Sequence, residues 1–338
     1  MDPVEALERI TYLLDRSLAP TQKAKAFLRA ADTIRDLDPA ELRRLHAEGR
    51  LKELPGIGDS TGKAIAEALD GEVPSYLADL EATTAIAMGE GDAVRAALKG
   101  DCHTHSTWSD GGASITTMAR TAIALGHEYM VLTDHSPRLT VAHGLSPERL
   151  AKQLEEVAAL NEELAPFRIL TGMEVDILED GSLDFADELL ATLDVVVGSV
   201  HSKLRMAAKE MTQRMVVAVS SPHVDILGHC TNRMVTGTRS RPQSEFDPEY
   251  VFAACAHFDT AVEINCRPER MDPPDELLDM ALDWDCKISI DTDAHAPGQL
   301  EWLAYGCDKA ARHEIALDQI VNTWDADALV AWAASHAT

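Results

Sequence analysis

Basic residues are scarce in this 338-residue chain, with 30 Lys and Arg against 57 Asp and Glu and a formal charge of −27. Tight, unaided binding to nucleic acid needs cationic side chains that displace counterions. Any contact with a nucleic acid is therefore expected to be local and weak, or assisted by metal. Long hydrophobic runs are missing, so no membrane span is expected. The opening "MDPVEALERI" has neither the basic patch nor the apolar stretch of a secretory signal. A cytoplasmic location follows as an expectation. Cys102, Cys230, Cys255, Cys266, Cys286 and Cys307 form no C-x-x-C pair, which favours reduced, buried thiols over a disulfide framework. A G-x-S-x-G elbow and an H-E-x-x-H helix are also lacking, so nothing points to a serine nucleophile or a zincin helix.

What is present divides in two. Up to about residue 81 the chain reads as short helices: "VEALERITYLLDRS", "PTQKAKAFLRAADTIRDL" and "DPAELRRLHAEG" carry apolar residues at three- and four-residue spacings. "LPGIG" then opens a further helical pattern. Residues 82–99 read as a connector with a helical tail, and 100–338 as a second domain. In that domain short β-branched runs alternate with helical stretches. The runs end at His103, His135, Glu174, His201, His229, Asn265 and Asp293, at intervals of 27 to 39 residues. Each interval has room for one strand and one helix. Seven such units with apolar strands predict an α/β fold, a seven-stranded parallel β/α barrel. Barrel chemistry gathers at the carboxyl ends of the strands, and there this sequence keeps its imidazoles and carboxylates.

The candidate donors are His103, His105, Asp110, His135, Glu174, His201, His229, Asp293 and His295. In "GDCHTHSTWSDGG" His103 and His105 alternate, so on a strand both face one side. Nine donors exceed the needs of a single zinc. They suggest two or three divalent ions sharing a carboxylate, with a metal-activated hydroxide as nucleophile. Imidazole and carboxylate together accept zinc, manganese or iron. Asn265 is expected to orient substrate or water. Arg233 is the leading phosphate clamp and Lys203 the next, since a cation matches phosphate oxygens. Asp134 and Asp291 are expected beside the ligands, and His127, His223 and His257 as surface or core histidines.

"DCHTHSTWSDG", "LTDHS", "GMEVDIL", "GSVHS", "VDILGH" and "DTDAH" resemble, in order and spacing, the metal-binding motifs of the PHP (polymerase and histidinol phosphatase) phosphoesterases. The likeness is strongest to the PHP domain of bacterial X-family DNA polymerases. It implies a distorted, TIM-like barrel with three ions, usually manganese or zinc. His103, His105, Glu174 and Asp293 would hold one, Glu174, His201 and His229 the second, and Asp110, His135 and His295 the third. The N-terminal part is similar to the small all-α domain of the same polymerases, with "LPGIG" as its helix-hairpin-helix. That implies DNA-backbone contacts at Gly56, Ile57, Gly58 and Lys63. The connector is far too short for a polymerase palm, so no nucleotide polymerisation is expected. Ala64 stands where the family's lyase lysine aligns, with Lys63 beside it, so no Schiff-base step is expected.

The resulting expectation is a phosphoesterase acting on DNA 3′ ends, as a 3′–5′ exonuclease or 3′-phosphatase in DNA repair. The alternatives are a small-molecule phosphatase acting on histidinol phosphate or a nucleotide, an amidohydrolase, and a DNA-binding scaffold with structural metals.

Overall fold

A computed structural model describes residues 1–87, 89–236 and 240–336. They fall into two units: Met1–Ala87 with the short Pro297–Gln299 segment, and the remainder. No described helix is long and apolar enough to cross a membrane.

The first unit is helical: α1 (Pro3–Arg16), α2 (Thr21–Arg35), α3 (Pro39–Ala47), α4 (Asp59–Leu69) and α5 (Ser75–Thr83). The Asp2 carboxylate accepts the N–H groups of Val4 and Glu5 and so caps α1, whose first residue is Pro3. Leu7, Ile10 and Leu14 share one face of α1 and bury against Phe27, Ile34, Ile65 and Leu77. In "LPGIG", Gly56 takes a φ of +76°, where glycine is favoured. Ile57 is part of the core, and the Gly58 N–H donates to Thr61 Oγ1 at 2.9 Å, which starts α4. Lys63 lies 3.5 Å from Glu67 one turn on.

The second unit begins with α6 (Asp92–Ala97) and then alternates strand and helix. The strands are β1 (Gly100–Thr104), β2 (Tyr129–Leu132), β3 (Arg168–Asp176), β4 (Val195–Ser199), β5 (Ile226–Leu227), β6 (Ala261–Asn265) and β7 (Ile288–Asp291). Between them run α7 (Ile115–Ala124), α8 (Pro147–Leu164), α9 (Asp187–Leu190), α10 (Ala208–Val219), α11 (Pro248–Phe258) and α12 (Asp275–Asp283); α13 (Leu303–Arg312) and α14 (Ala326–Ser335) follow. Every strand pairs in parallel with its neighbour in sequence order. All five residues of β4, "VVVGS", are buried, as expected of a strand covered on both faces. The sheet curls until its ends meet. The His105 N–H donates to Ala294 O at 2.9 Å, and the Asp291 carboxylate accepts the Cys102 N–H at 2.7 Å. This is the seven-stranded, nearly closed parallel barrel that the run spacing predicts.

His127, between α7 and β2, is a core histidine with a measurable signature. Arg95 donates to its Nε2 at 3.2 Å, and burial followed by the Arg95 charge pushes its pKa down to about 3. The folded state keeps the ring neutral, whereas the unfolded chain protonates it near 6.5. Stability therefore falls as pH drops below 6.5 and does not change through this group above it. Relative to a His127→Leu variant with the same metal load, the wild-type chain is expected to lose up to about 1.4 kcal/mol per pH unit below that point. Urea unfolding of both chains between pH 7 and pH 5 reads the difference, and parallel curves would refute it.

Candidate metal centre

Parallel strands deliver their carboxyl ends to one mouth of the barrel, and the donors ride on those ends. His103 lies in β1 and Glu174 in β3, while His105 comes one residue after β1. His135, His201, His229 and Asp293 follow β2, β4, β5 and β7 within three residues. Two of these turns need unusual backbone: His229 has φ +21° and Asp293 φ +53°. Such strain in non-glycine residues persists only where the surroundings hold it. Asp110 stands on the loop after β1, where Gly111 donates to Ser106 O at 2.9 Å. A Cβ at Gly111 would approach that carbonyl to 2.6 Å, so this turn requires glycine.

Glu174 is the hub. Its Oε1 lies 2.8 Å from His229 Nε2 and 3.1 Å from His201 Nε2. Its Oε2 lies 2.9 Å from His135 Nδ1, 3.4 Å from His103 Nε2 and 3.5 Å from His105 Nε2. Asp293 Oδ1 is 3.4 Å from His105 Nε2, and Asp110 Oδ1 is 3.2 Å from His295 Nε2 and 3.4 Å from His135 Nε2. The His105 ring stacks on His295 and His135, with centroids 4.2 and 4.5 Å apart. All nine sequence-derived donors thus converge. Three sets bring donor atoms within 4.8 Å of one another: His105 with Asp110, His135 and His295; His103 with His105 and Glu174; His135 with Glu174 and His201.

The electrostatics fit divalent cations. His103 Nε2, both nitrogens of His105 and Glu174 Oε2 are buried without a hydrogen-bond partner. Orphaned polar atoms of this kind are costly, and a cation among them would satisfy His103 Nε2, Glu174 Oε2 and one nitrogen of His105. Burial, with repulsion from His295 and His135, lowers the His105 pKa to about 3, leaving a neutral ring with one nitrogen lone pair to give. Burial also depresses His229 to about 4, aided by Arg270. Burial alone would raise Glu174, but His201, His135 and His103 outweigh it and hold this carboxyl well below its usual range. His105 and His229, kept neutral near an ionised carboxylate, are ready to bind divalent metal, whereas His103, His135 and His201, raised by neighbouring carboxylates, would yield their protons to an arriving ion.

A PHP domain model matches residues 101–265. The chain is 40% identical over 225 residues to the "DNA polymerase/3′-5′ exonuclease PolX" of Bacillus subtilis (strain 168), which covers 67% of this chain and 39% of that protein. Among solved structures, the histidinol phosphate phosphatase of Lactococcus lactis, complexed with zinc, L-histidinol and phosphate, aligns with a TM-score of 0.46 at 20% identity over 64% of this chain and 93% of that one. A "probable phosphatase" of Thermoanaerobacter sp. (strain X514) is 30% identical over 207 residues, 58% of this chain and 78% of the relative. The chain belongs to the PHP family.

Asp293 and His295 lie beyond the matched stretch, and the structure brings them into the same cluster through His105 and Asp110. Beneath the donors runs a layer of carboxylates. Glu263 of β6, fully buried, accepts from His103 Nδ1 at 2.6 Å, from the His229 main-chain N–H and from Asn265 Nδ2 at 3.2 Å. Its grip puts the His103 proton on Nδ1 and leaves Nε2 to face Glu174. Asp134 accepts Ser106 N–H at 2.9 Å, Ser106 Oγ–H at 2.6 Å and Gln153 Nε2–H at 2.6 Å, fixing the start of the Asp110 loop. Asp291 binds the strand before His103 in the same way. Sequence reasoning missed Glu263, although the signal existed: it lies two residues before Asn265 on one strand and so shares its inward side.

Three expectations need correction. Arg233 is not a phosphate clamp, because its guanidinium donates to Arg270 O at 3.0 Å and to Met271 O, bracing the loop after β6. Lys203 does not reach the donors; it is 63% exposed, with Glu179 at 3.9 Å. The amide of Asn265 is engaged by Glu263 and, at 3.3 Å, by Asp293 Oδ2, so it orients a donor rather than substrate or water.

The Glu263 arrangement predicts an effect on affinity. Glu263→Ala frees His103 to rotate or change tautomer and is expected to weaken metal binding by about 10- to 100-fold. Glu263→Gln, which still accepts through its carbonyl, is expected to lose less. Competition with a chromogenic chelator measures both, and coincident curves for all three proteins would refute the role.

Proposed function

We propose that this chain, a hydrolase of phosphate esters, trims DNA 3′ ends as a 3′–5′ exonuclease or 3′-phosphatase with three divalent ions, manganese or zinc. The observation that carries the reading is the buried Glu174 carboxylate with five imidazoles within 3.5 Å of it. So dense a donor set, rimmed by Asp110, Asp293 and His295, exceeds what one ion uses. His103, His105, Glu174 and Asp293 would hold one ion, Glu174, His201 and His229 a second, and Asp110, His135 and His295 the third. The DNA arm is supported by the 40% identity to a relative named as an exonuclease, against 30% to those named as phosphatases. The glycine turn before α4, with Gly56, Ile57 and Gly58, and Lys63 on α4 itself support it as a DNA-backbone contact of a small helical domain. The chain spans 39% of the Bacillus protein's length, and no template-directed extension is expected of it.

When bound, the ions supply Lewis acidity toward phosphoryl oxygens and lower the pKa of a coordinated water. The chain's own groups do the rest. Glu263 and Asn265 hold His103 and Asp293 in place. Asp110, 35% exposed, marks the open side by which an ester enters. Arg270 presents a buried Nη1 that makes no hydrogen bond and stands 3.3 Å from Asp293 Oδ2. It is the cation placed to share charge building on the transferring phosphoryl group.

A 5′-labelled single DNA strand incubated with Mn²⁺ tests the reading. Stepwise shortening from the 3′ end is expected, abolished by chelation and restored by added Mn²⁺. A second reading, a phosphatase of small molecules, is favoured by the charge of −27 and by the relatives named as probable phosphatases. Rapid hydrolysis of histidinol phosphate or a nucleotide, with both the DNA strand and its 3′-phosphorylated form untouched, would select it.

A further inference from the structure

Positive charge is concentrated in one sector of this acidic chain. The described residues of the loops after β4, β5 and β6 (200–207, 228–236, 240–247 and 266–274) hold six Lys or Arg against four Asp or Glu, whereas the loop after β3 (177–186) holds three acids and no base. Several of these cations are engaged: Arg233 and Arg241 donate to main-chain carbonyls, and Arg267 pairs with Glu269 at 2.8 Å. Lys203 and Arg205 are different. Lys203 has only Glu179 at 3.9 Å, and Arg205 has no ion pair or hydrogen bond among the described residues. With Met206 they line an open hollow of about 280 Å³, a few residues beyond the donor His201.

The hollow stands on a fixed loop. Lys203 adopts φ +53°, and the turn closes with Met206 N–H donating to Lys203 O at 2.8 Å. From α10 the buried Arg214 donates to Ser202 O at 2.9 Å and to Ile177 O, tying this loop to the end of β3. A buried guanidinium costs solvation, and here it fixes the chain immediately before the two exposed cations. A small phosphomonoester has one phosphate, which the metal centre takes. Only a longer polyanion could use a second cationic site beside it.

We propose that this hollow docks the backbone of a DNA strand a few nucleotides before its 3′ end. Lys203 and Arg205 meet phosphodiesters there, and the Met206 thioether lies against a base. The inference rests on the DNA-end reading above. The test compares the full chain with a Lys203→Ala/Arg205→Ala variant, both with Mn²⁺, on 5′-labelled oligothymidylates of three and twelve nucleotides. The wild type is expected to favour the longer strand. The variant is expected to lose about tenfold in kcat/KM on it, mainly through KM, with the salt slope shallower by about 1.4 for two lost phosphate contacts. A Lys203→Arg variant should behave as wild type. A wild type indifferent to length, or a double variant that keeps both the preference and the slope, overturns the proposal. A wild type that acts neither on these strands nor on their 3′-phosphorylated forms refutes the DNA-end reading itself, and the proposal falls with it.

Discussion

A Glu174→Ala variant is expected to lose its bound metal and more than about a thousandfold of its phosphoesterase activity, well beyond the 10- to 100-fold typical of an outer partner such as Glu263. The reason is position. Glu174 Oε1 serves His201 and His229 while Oε2 serves His103, His105 and His135, so one carboxylate joins all three donor groupings. Without it, five imidazoles lose the one carboxylate they share, and Asp110 and Asp293 at the rim are left to offset the ions they would hold. The His103, His135 and His201 pKa values, which Glu174 helps raise against the effect of burial, would fall together. Neutral rings can still bind metal, so the loss should fall on the shared part of the site. Metal content by elemental analysis and kcat/KM on the labelled strand read the two effects separately, and circular dichroism checks the fold. Activity within tenfold of wild type at full metal content would remove Glu174 from the centre.

The donors were legible because a parallel barrel turns one-dimensional spacing into convergence. A residue that ends an apolar run must appear at the carboxyl rim, so His135, Glu174, His201, His229 and Asp293 could be placed without coordinates. The run "VDILGH" pointed to the right histidine but overstated the strand. Only Ile226 and Leu227 join the ladder, and the chain turns away at Gly228 to bring His229 to its left-handed φ. A connector with a helical tail is expected at 82–99. In the structure the first unit runs to Ala87 and α6 already stands with the barrel, because Arg95 bonds Leu125 O and His127 there. What spacing could not convey is where a long side chain goes. Arg233 and Arg270 occupy equivalent-looking loop positions, and only the fold of the loop after β6 decides that the first holds carbonyls while the second faces Asp293. Glu263 was obscured by its neighbours, since one acid inside "AVEIN" reads as an interruption of an apolar strand until its inward side is found filled with histidines.

That contrast between two arginines leads to the second large effect. Arg270→Ala is expected to lower kcat by about a hundredfold to a thousandfold, the loss seen when one preorganised donor to developing charge is removed. KM should change far less, because the ions still bind the ester. Arg270 also opposes protonation of the buried Asp293, whose pKa burial would otherwise raise. The variant must therefore be assayed with Mn²⁺ saturating and its metal content measured: unchanged content with depressed kcat assigns the loss to the phosphoryl group. Arg270→Lys keeps the charge without the planar fork and should recover part of the rate. Arg233→Ala acts by another route. It releases the Arg270 and Met271 carbonyls, so its smaller rate loss should come with a lower melting temperature of the barrel. If Arg233→Ala instead proved the more damaging to kcat while leaving thermal stability intact, the assignment of the two guanidinium groups would have to be reversed.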